Sequence, residues 1–260
     1  NKQIGALNEF VQKFSRDPKQ TELVVDARKR IGDAYEKLNK DKEARKAWEA
    51  AADDFDRRAL KPETNPIAAD AAAYCRFQLA EVVFAEFEKM KIGGSGKALE
   101  NSLKAKKEAV KKVNAAYDLV VKYKRVEWTL AAFYRKGYAL ERFAQAVLET
   151  PVPPEVKRLG DEAVVTYQDM LATQTVALED KAVENYAATI AEARKARISN
   201  EWTKKTLEAL NRFRPKDYPV LKEPKVLIEG DGTFSDGTVG TIDGEKERAA
   251  AQKLKSEDEK

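Results

Sequence analysis

Between positions 1 and about 213, apolar residues recur at three- and four-residue spacing with Lys and Glu set between them. Side chains on a strand alternate every second residue, so this pattern buries one stripe of a helix and cannot bury one face of a sheet. The body is therefore predicted to be all-α. Glycine is kept largely out of it: five of the 12 glycines, Gly230, Gly232, Gly237, Gly240 and Gly244, lie in the last 31 residues. Breaks at Asp17-Pro18, Asn39-Lys40, Pro62 to Pro66, Gly93 to Gly96, Pro151 to Pro154 and Ser199-Asn200 divide the body into about nine helices. Most connections are short, which makes successive helices antiparallel. The expected organisation is a helical body over 1-215 and an irregular tail over 216-260.

Composition narrows the chemistry. Among 260 residues there is no histidine, which excludes Ser-His-Asp and Cys-His nucleophiles, HExxH zinc sites and an imidazole proton shuttle. Cys75 is the sole cysteine, so zinc ribbons, CxxC redox chemistry and disulfide scaffolds are excluded too. No carboxylate pair stands out from the Glu and Asp scattered over nearly every helix. The chain is accordingly read as non-enzymatic, with no catalytic, cofactor-binding or metal-binding residue. Its 43% hydrophobic content can form a core, while 35% charged residues and a mean hydropathy of −0.62 describe a large wetted surface. No run of about 18 apolar residues spans a membrane, and no signal-peptide pattern is present. Because the chain opens at Asn1 rather than Met, it is expected to be a mature or excised piece.

Internal repetition decides the fold within the all-α class. Ile31-Gly32-x-x-Tyr35, followed by Ala44-x-x-x-Trp48-x-x-Ala51, sets large, small and aromatic residues on one helix and small, large, small on the next. The small residues let two helices approach closely, while Ile31, Tyr35 and Trp48 fill the space beside the contact. This unit resembles the tetratricopeptide repeat (TPR). Three further units resemble it less fully. Ala6-x-x-x-Phe10 with Pro18 reads as a second helix. Phe133-x-x-Lys136-Gly137-x-x-Leu140 reads as a first helix partnered by Ala163-x-x-x-Tyr167-x-x-Met170. Ala187-x-x-Ile190-Ala191-x-x-Arg194, with Thr203-x-x-x-Leu207-x-x-Leu210 and Pro215, reads as a last repeat. The helices of residues 67 to 123 exceed normal repeat length. The resemblance implies a TPR-like solenoid of antiparallel helix pairs.

It also implies binding of proteins or peptides along a face lined by first helices. Carried over by motif, that face would present Asp26, Lys29, Asp33, Glu36 and Lys37 from the Ile31 unit. The Gly137 unit would add Tyr134, Tyr138, Glu141 and Arg142, and the last unit Asn185, Ala188, Glu192 and Lys195. TPR proteins that clamp chaperone C-termini have Asn where this chain has Asp33, and a carboxylate there repels that ligand. The charged residues read equally as a solvated face with i,i+4 pairs. Tyr134 and Tyr138 read either as groove anchors or as packing against a neighbouring helix.

A rival surface lies between Lys97 and Arg125, where nine basic residues face three acids, a local excess of six. Its apolar line, Leu99, Leu103, Val110, Val113, Tyr117 and Val120, faces inward and the lysines outward. Lys104, Lys107, Lys111 and Lys112 would then meet an anionic partner such as an acidic protein surface, lipid headgroups, a polymer or nucleic acid, or simply water. Nucleic acid ranks low, because no RRM, zinc finger or helix-turn-helix pattern accompanies the lysines. Gly93-Gly94-Ser95-Gly96 follows a helix and lacks the P-loop ending, so it is expected to be a hairpin. Cys75 is expected in the core. In the tail, Asp231 to Gly237 lacks the Glu that a calcium loop needs at its end, since Ile242 stands there. Val226-Leu227-Ile228 is expected to be extended and Glu245 to Lys260 weakly helical.

The Ala- and Lys-rich degenerate repeats, the long inserted helices and the run from Asn200-Glu201-Trp202-Thr203 to Leu210-Asn211, with Pro215 and Tyr218-Pro219 behind it, are similar to the large cell-envelope TPR proteins of gliding myxobacteria. That similarity implies a periplasmic or outer-membrane-associated scaffold in a motility and trafficking assembly.

Overall fold

A computed structural model describes residues 2–219, and every regular element in that range is helical. In order these are α1 (Lys2–Phe14), a 3-10 turn (Pro18–Gln20), α2 (Thr21–Glu36), α3 (Asp41–Arg57), α4 (Pro66–Lys89), α5 (Lys97–Val121), α6 (Val126–Leu148), α7 (Pro154–Lys157), α8 (Asp161–Ala196) and α9 (Glu201–Phe213). The readings on Val226 to Ile228, Asp231 to Gly237 and Glu245 to Lys260 lie outside the described residues.

The helix ends follow from local chemistry. Asp17 accepts from the Lys19 amide at 2.9 Å and starts the 3-10 turn at Pro18. Pro66 opens α4, where the Glu22 carboxylate of α2 accepts from the Ile67 and Ala68 amides at 2.8 and 3.1 Å. Asn200 and Thr203 form a reciprocal capping box at α9. Gly94 takes φ +98° in the hairpin between α4 and α5. The end of α4 is closed by a side chain from α5: Lys106 Nζ donates to the Phe87 and Met90 carbonyls at 2.7 and 2.6 Å.

Each helix from α1 to α6 packs on the next, α6 packs on α8, and α8 on α9. Contacts also pass over chain neighbours: α2 touches α4, α4 touches α6, and α6 touches α9 across α7 and α8. These four make a row, with α3, α5 and α8 each set against it. Gly32 lies under the Trp48 indole so closely that an added Cβ would come within 2.3 Å of Trp48 Cδ1. Gly137 lies in the same way under Tyr186, 2.7 Å from Cε1. Cys75 is buried among alanines and Phe55, and burial pushes its thiol well up.

Two readings need correction. Asp161–Ala196 is a single 36-residue helix, so the segments 163–170 and 187–194 share one helix. Gly137 meets Ala182 and Tyr186 of this helix rather than Ala163 to Met170, while residues 187–194 continue the same helix and pack against α9, Ile190 sharing a cluster with Ala209 and Leu210. The pattern misleads because Ala163 and Tyr167 are half-buried and Tyr167 packs against the core, although Met170 is exposed. Lys106 also does not face outward: it is 3% exposed, drawn inward by the free carbonyls at the end of α4.

Candidate interaction face

The row α2, α4, α6 and α9 is held by a unit that occurs three times. In each, an aromatic on α3, α5 or α8 donates to a carboxylate on a helix of the row, and a cation pairs with that carboxylate. Trp48 Nε1 on α3 donates to Asp33 Oδ1 on α2 at 3.0 Å. Lys29 Nζ lies 3.3 Å from Asp33 and 4.5 Å from the centre of the Tyr74 ring on α4. Tyr117 on α5 donates its hydroxyl to Glu81 on α4, whose other oxygen accepts from Arg135 on α6. Tyr186 on α8 donates to Glu141 Oε2 on α6 at 2.7 Å, and Arg212 Nη2 on α9 donates to Glu141 Oε1 at 2.7 Å.

Lys29 sits on α2 beside Asp33 and reaches forward to the Tyr74 ring of α4, whereas Arg135 and Arg212 reach back to the carboxylate from the next helix of the row, so each tie also joins successive helices of the row. Burial first, then the neighbouring carboxylate charge, pushes the hydroxyls of Tyr117 and Tyr186 far above the ordinary phenol range. Burial alone would lower the Arg135 and Arg212 guanidiniums, but Glu81 and Glu141 outweigh it and both are raised. These phenols stay protonated donors and these cations stay charged, an arrangement suited to holding helices rather than moving protons.

Aromatic rings run along the same row. Tyr74 meets Trp128 at 5.1 Å between centroids, Trp128 meets Phe77 at 5.5 Å, and Phe77 meets Trp202 at 5.4 Å. Trp202 continues to Tyr134 at 5.8 Å, and Tyr134 stacks on Tyr138 at 5.9 Å with 8° between planes. Tyr138 ends against Phe84 at 5.7 Å, and the Arg135 guanidinium lies 5.0 Å from the Phe84 ring centre. Tyr134 and Tyr138 are thus half-buried members of the inter-helix packing.

The structure places the residues singled out above on three different helices. Asp26 pairs with Arg30 at 2.7 Å, while Glu36 and Lys37 are exposed at the end of α2. Arg142 pairs with Glu88 at 3.3 Å. The α2 and α6 sets share the row with α4 between them. Asn185, Glu192 and Lys195 do not join them: they sit on α8, where Asn185 donates to its own helix and Glu192 lies 3.8 Å from Lys195. Sequence reasoning passed over the whole α4 contribution, Asp70, Tyr74, Phe77 and Glu81, and with it Trp128, Arg135 and Trp202. The i,i+4 pairs Asp70/Tyr74 and Phe77/Glu81 were visible, but α4 is so rich in alanine that no single face announced itself.

Two clefts adjoin these elements. One of about 300 Å³ lies where the end of α2 and the start of α3 meet α4, bordered by Glu36, Arg45, Gln78, Glu81, Glu86 and Lys89. The other, about 370 Å³, lies by the end of α4 and includes Glu88, Lys106, Arg142 and Glu149. Burial, with help from Arg142, lowers the Lys106 ammonium, but its donors are spent on the α4 carbonyls and it acts as a helix cap. On α5, Lys104, Lys107 and Lys112 are exposed, as is Lys111, which lies 2.7 Å from Glu108. Among the described residues, no group of three or more His, Cys, Asp or Glu is placed to hold a metal ion, and no helix is long and apolar enough to cross a membrane. Comparison with protein-family models, with characterised proteins and with solved structures finds no match.

Proposed function

We propose that the body is a TPR-like solenoid serving as a non-enzymatic scaffold for protein–protein interaction within a multiprotein assembly. In this reading α1 is a second helix, α2/α3, α4/α5 and α6/α8 are pairs, and α9 closes the row. The observation that supports it is the recurring aromatic–carboxylate–cation tie, in which a carboxylate on α2, α4 or α6 is held by an aromatic from α3, α5 or α8 and by a cation that links to the next helix of the row. A rigid row of first helices is the surface such a scaffold offers, and the cleft beside Glu36 and Glu86 is an accessible place on it for a protein segment. Asp33, fixed by Trp48 and Lys29, disfavours a C-terminal carboxylate as the ligand. The similarity to cell-envelope TPR proteins of gliding myxobacteria adds the proposal of a periplasmic or envelope location in motility or trafficking machinery.

The test is site-specific photocrosslinking in native lysate from the exposed positions 36 and 86, with position 46 of α3 as a control. A discrete protein adduct from 36 and 86 that is absent from 46 supports the scaffold reading. No adduct, or equal adducts from all three, refutes it. Exposed Lys104, Lys107 and Lys112 favour a second reading, recruitment to an anionic surface through α5. That contact should disappear at about 0.5 M salt, where exposed charges are screened within a few ångströms, whereas segment capture should persist.

A further inference from the structure

Two long helix faces point away from everything the body packs. On α5, the buried line Lys106, Val110, Val113, Tyr117 and Val120 lies opposite Lys104, Lys111, Lys112, Ala115, Leu119 and Lys122, all exposed. On the first five turns of α8, Leu171 and Thr175 are buried, and Asp161, Val165, Asp169, Ala172, Val176 and Asp180 form an exposed stripe along the flank of the helix beside them. The signs of charge are opposed. From Asp161 to Lys181 there are five carboxylates and one base, against the nine bases and three acids of the α5 region. Of these, Lys111 pairs with Glu108, Lys124 with Glu63, Arg125 with Asp70 and Asp118 with Lys136, and Lys106 caps α4, while Lys104, Lys112, Lys122, Asp161, Asp169 and Glu179 take no part in the ion pairs of the described residues. Each face also has an apolar centre: Leu119 is 38% exposed on α5, and Val165 and Val176 are 55% and 53% exposed on α8. Both run for about 27 Å, at about 1.5 Å per helical residue.

We propose that these faces bind each other between copies, α8 of one chain docking on α5 of the next. In a parallel register Lys104 meets Asp161, Lys112 meets Asp169, Ala115 meets Ala172, Leu119 meets Val176, and Lys122 meets Glu179. Among the charged residues on or beside this line, Glu108, already held by Lys111, meets Val165, Lys111 meets Gln168 and Asp180 meets Tyr123, without a charge match. The aliphatic stems of the lysines cover the valines while their ammonium groups reach the carboxylates. The charges set register and speed encounter, and the apolar centre supplies the part of the affinity that salt does not screen. Two different surfaces are involved, so the contact is heterologous and adds copies head to tail into chains or a closed ring. This surface is separate from the α2–α4–α6–α9 row and does not depend on the reading given for it.

The test is sedimentation velocity of the full chain at about 0.02 M and about 0.5 M salt, conditions that bracket a Debye length of about 10 Å. Concentration-dependent oligomers are expected at low salt, largely dissociating at high salt. A Lys104→Glu, Lys112→Glu, Lys122→Glu variant and an Asp161→Lys, Asp169→Lys, Glu179→Lys variant should each be monomeric. Their equimolar mixture should assemble again, because every contact in it is once more between opposite charges. Circular dichroism of each variant should match the wild type. A wild type that stays monomeric at low salt overturns the proposal, even if it then binds anionic vesicles. Assembly indifferent to both variants, or a mixture that remains monomeric, overturns it as well.

Discussion

Replacing Gly137 by Ala tests whether α6 and α8 meet as closely as the geometry requires. In an exposed helix this change stabilises by about 1 kcal/mol, because Gly gives up more backbone entropy on folding. Here the new Cβ would stand 2.7 and 2.8 Å from Tyr186 Cε1 and Cδ1, and 3.2 Å from the Ala182 carbonyl oxygen. Ordinary carbon contacts begin near about 3.5 Å, so something must retreat by most of an ångström. The Tyr186 ring cannot swing aside, being fully buried with its hydroxyl tied to Glu141, and the carbonyl belongs to the backbone of α8. Overpacking of this kind costs about 1–3 kcal/mol, perturbs the Arg212 tie, and cancels or outweighs the propensity gain, for a net loss of up to about 2 kcal/mol. For a body of this size the melting temperature should fall by up to about 8 °C rather than rise.

Two controls separate the packing argument from propensity in thermal and urea melts followed by circular dichroism. Gly5→Ala in α1, where nothing lies within 4 Å, should stabilise. On a Tyr186→Leu background, Gly137→Ala should turn neutral or stabilising, since the ring it strikes is gone. A wild-type background on which Gly137→Ala raises stability as Gly5→Ala does would refute the close approach.

Asp54 is buried on α3 with Arg57, Arg58 and Arg28 around it, and Arg58 also reaches the Ser15 carbonyl at 2.6 Å. Burial would push its carboxyl up, but the hydrogen bonds from Arg58 and Arg57 and the charges of Arg58 and Arg28 prevail and hold it low. Its stabilising effect is therefore complete above the ordinary carboxyl range and fades as pH falls from about 5 through the depressed value. Asp54→Asn should cost about 2–3 kcal/mol at pH 7 in urea melts, a difference that narrows toward pH 3. Lys106→Met strands the Phe87 and Met90 carbonyls and should cost about 1–3 kcal/mol, with amide exchange rising first at the end of α4. Glu141→Gln should weaken both the Tyr186 and Arg212 bonds, and its effect should be far from additive with Arg212→Ala in a double-mutant cycle.

Helical class and most breaks could be read directly, because period, Pro and Gly act locally: Pro66, Gly94 and Asn200 each punctuate the chain where they stand. The Gly32 and Trp48 contact was legible too, since both residues lie in one short motif. The Gly137 partner was not. Tyr186 is far down the chain, and the intervening segment carries small and apolar residues at the same spacing, so the nearer match at Ala163 to Met170 looked sufficient. The inward turn of Lys106 depends on where the carbonyls of another helix end, which no pattern on α5 encodes. Similarly, Glu81 becomes meaningful only once Tyr117 and Arg135 arrive from helices on either side.

The segment that misled the sequence reading also makes a physical prediction. Trp48 follows Gly32 by 16 positions, whereas Tyr186 follows Gly137 by 49, and much of the difference is taken up by the first turns of α8. Residues 161–178 bury only Leu171 and Thr175, while 182–193 bury Ala182, Val183, Tyr186, Thr189, Ile190 and Ala193. Most helical stability in a folded chain comes from tertiary packing rather than from propensity, so the first half should open locally far more readily than the second. Hydrogen exchange of α8 at about 0.5 M salt should show rapid exchange before residue 178 and strong protection after 182. If copies join through this face, protection of 161–178 should rise at low salt together with that of the outer face of α5. Uniform protection along α8 at high salt would mean that the first half is held by contacts the burial pattern does not contain, and the argument for a bare, docking-competent face would fail with it.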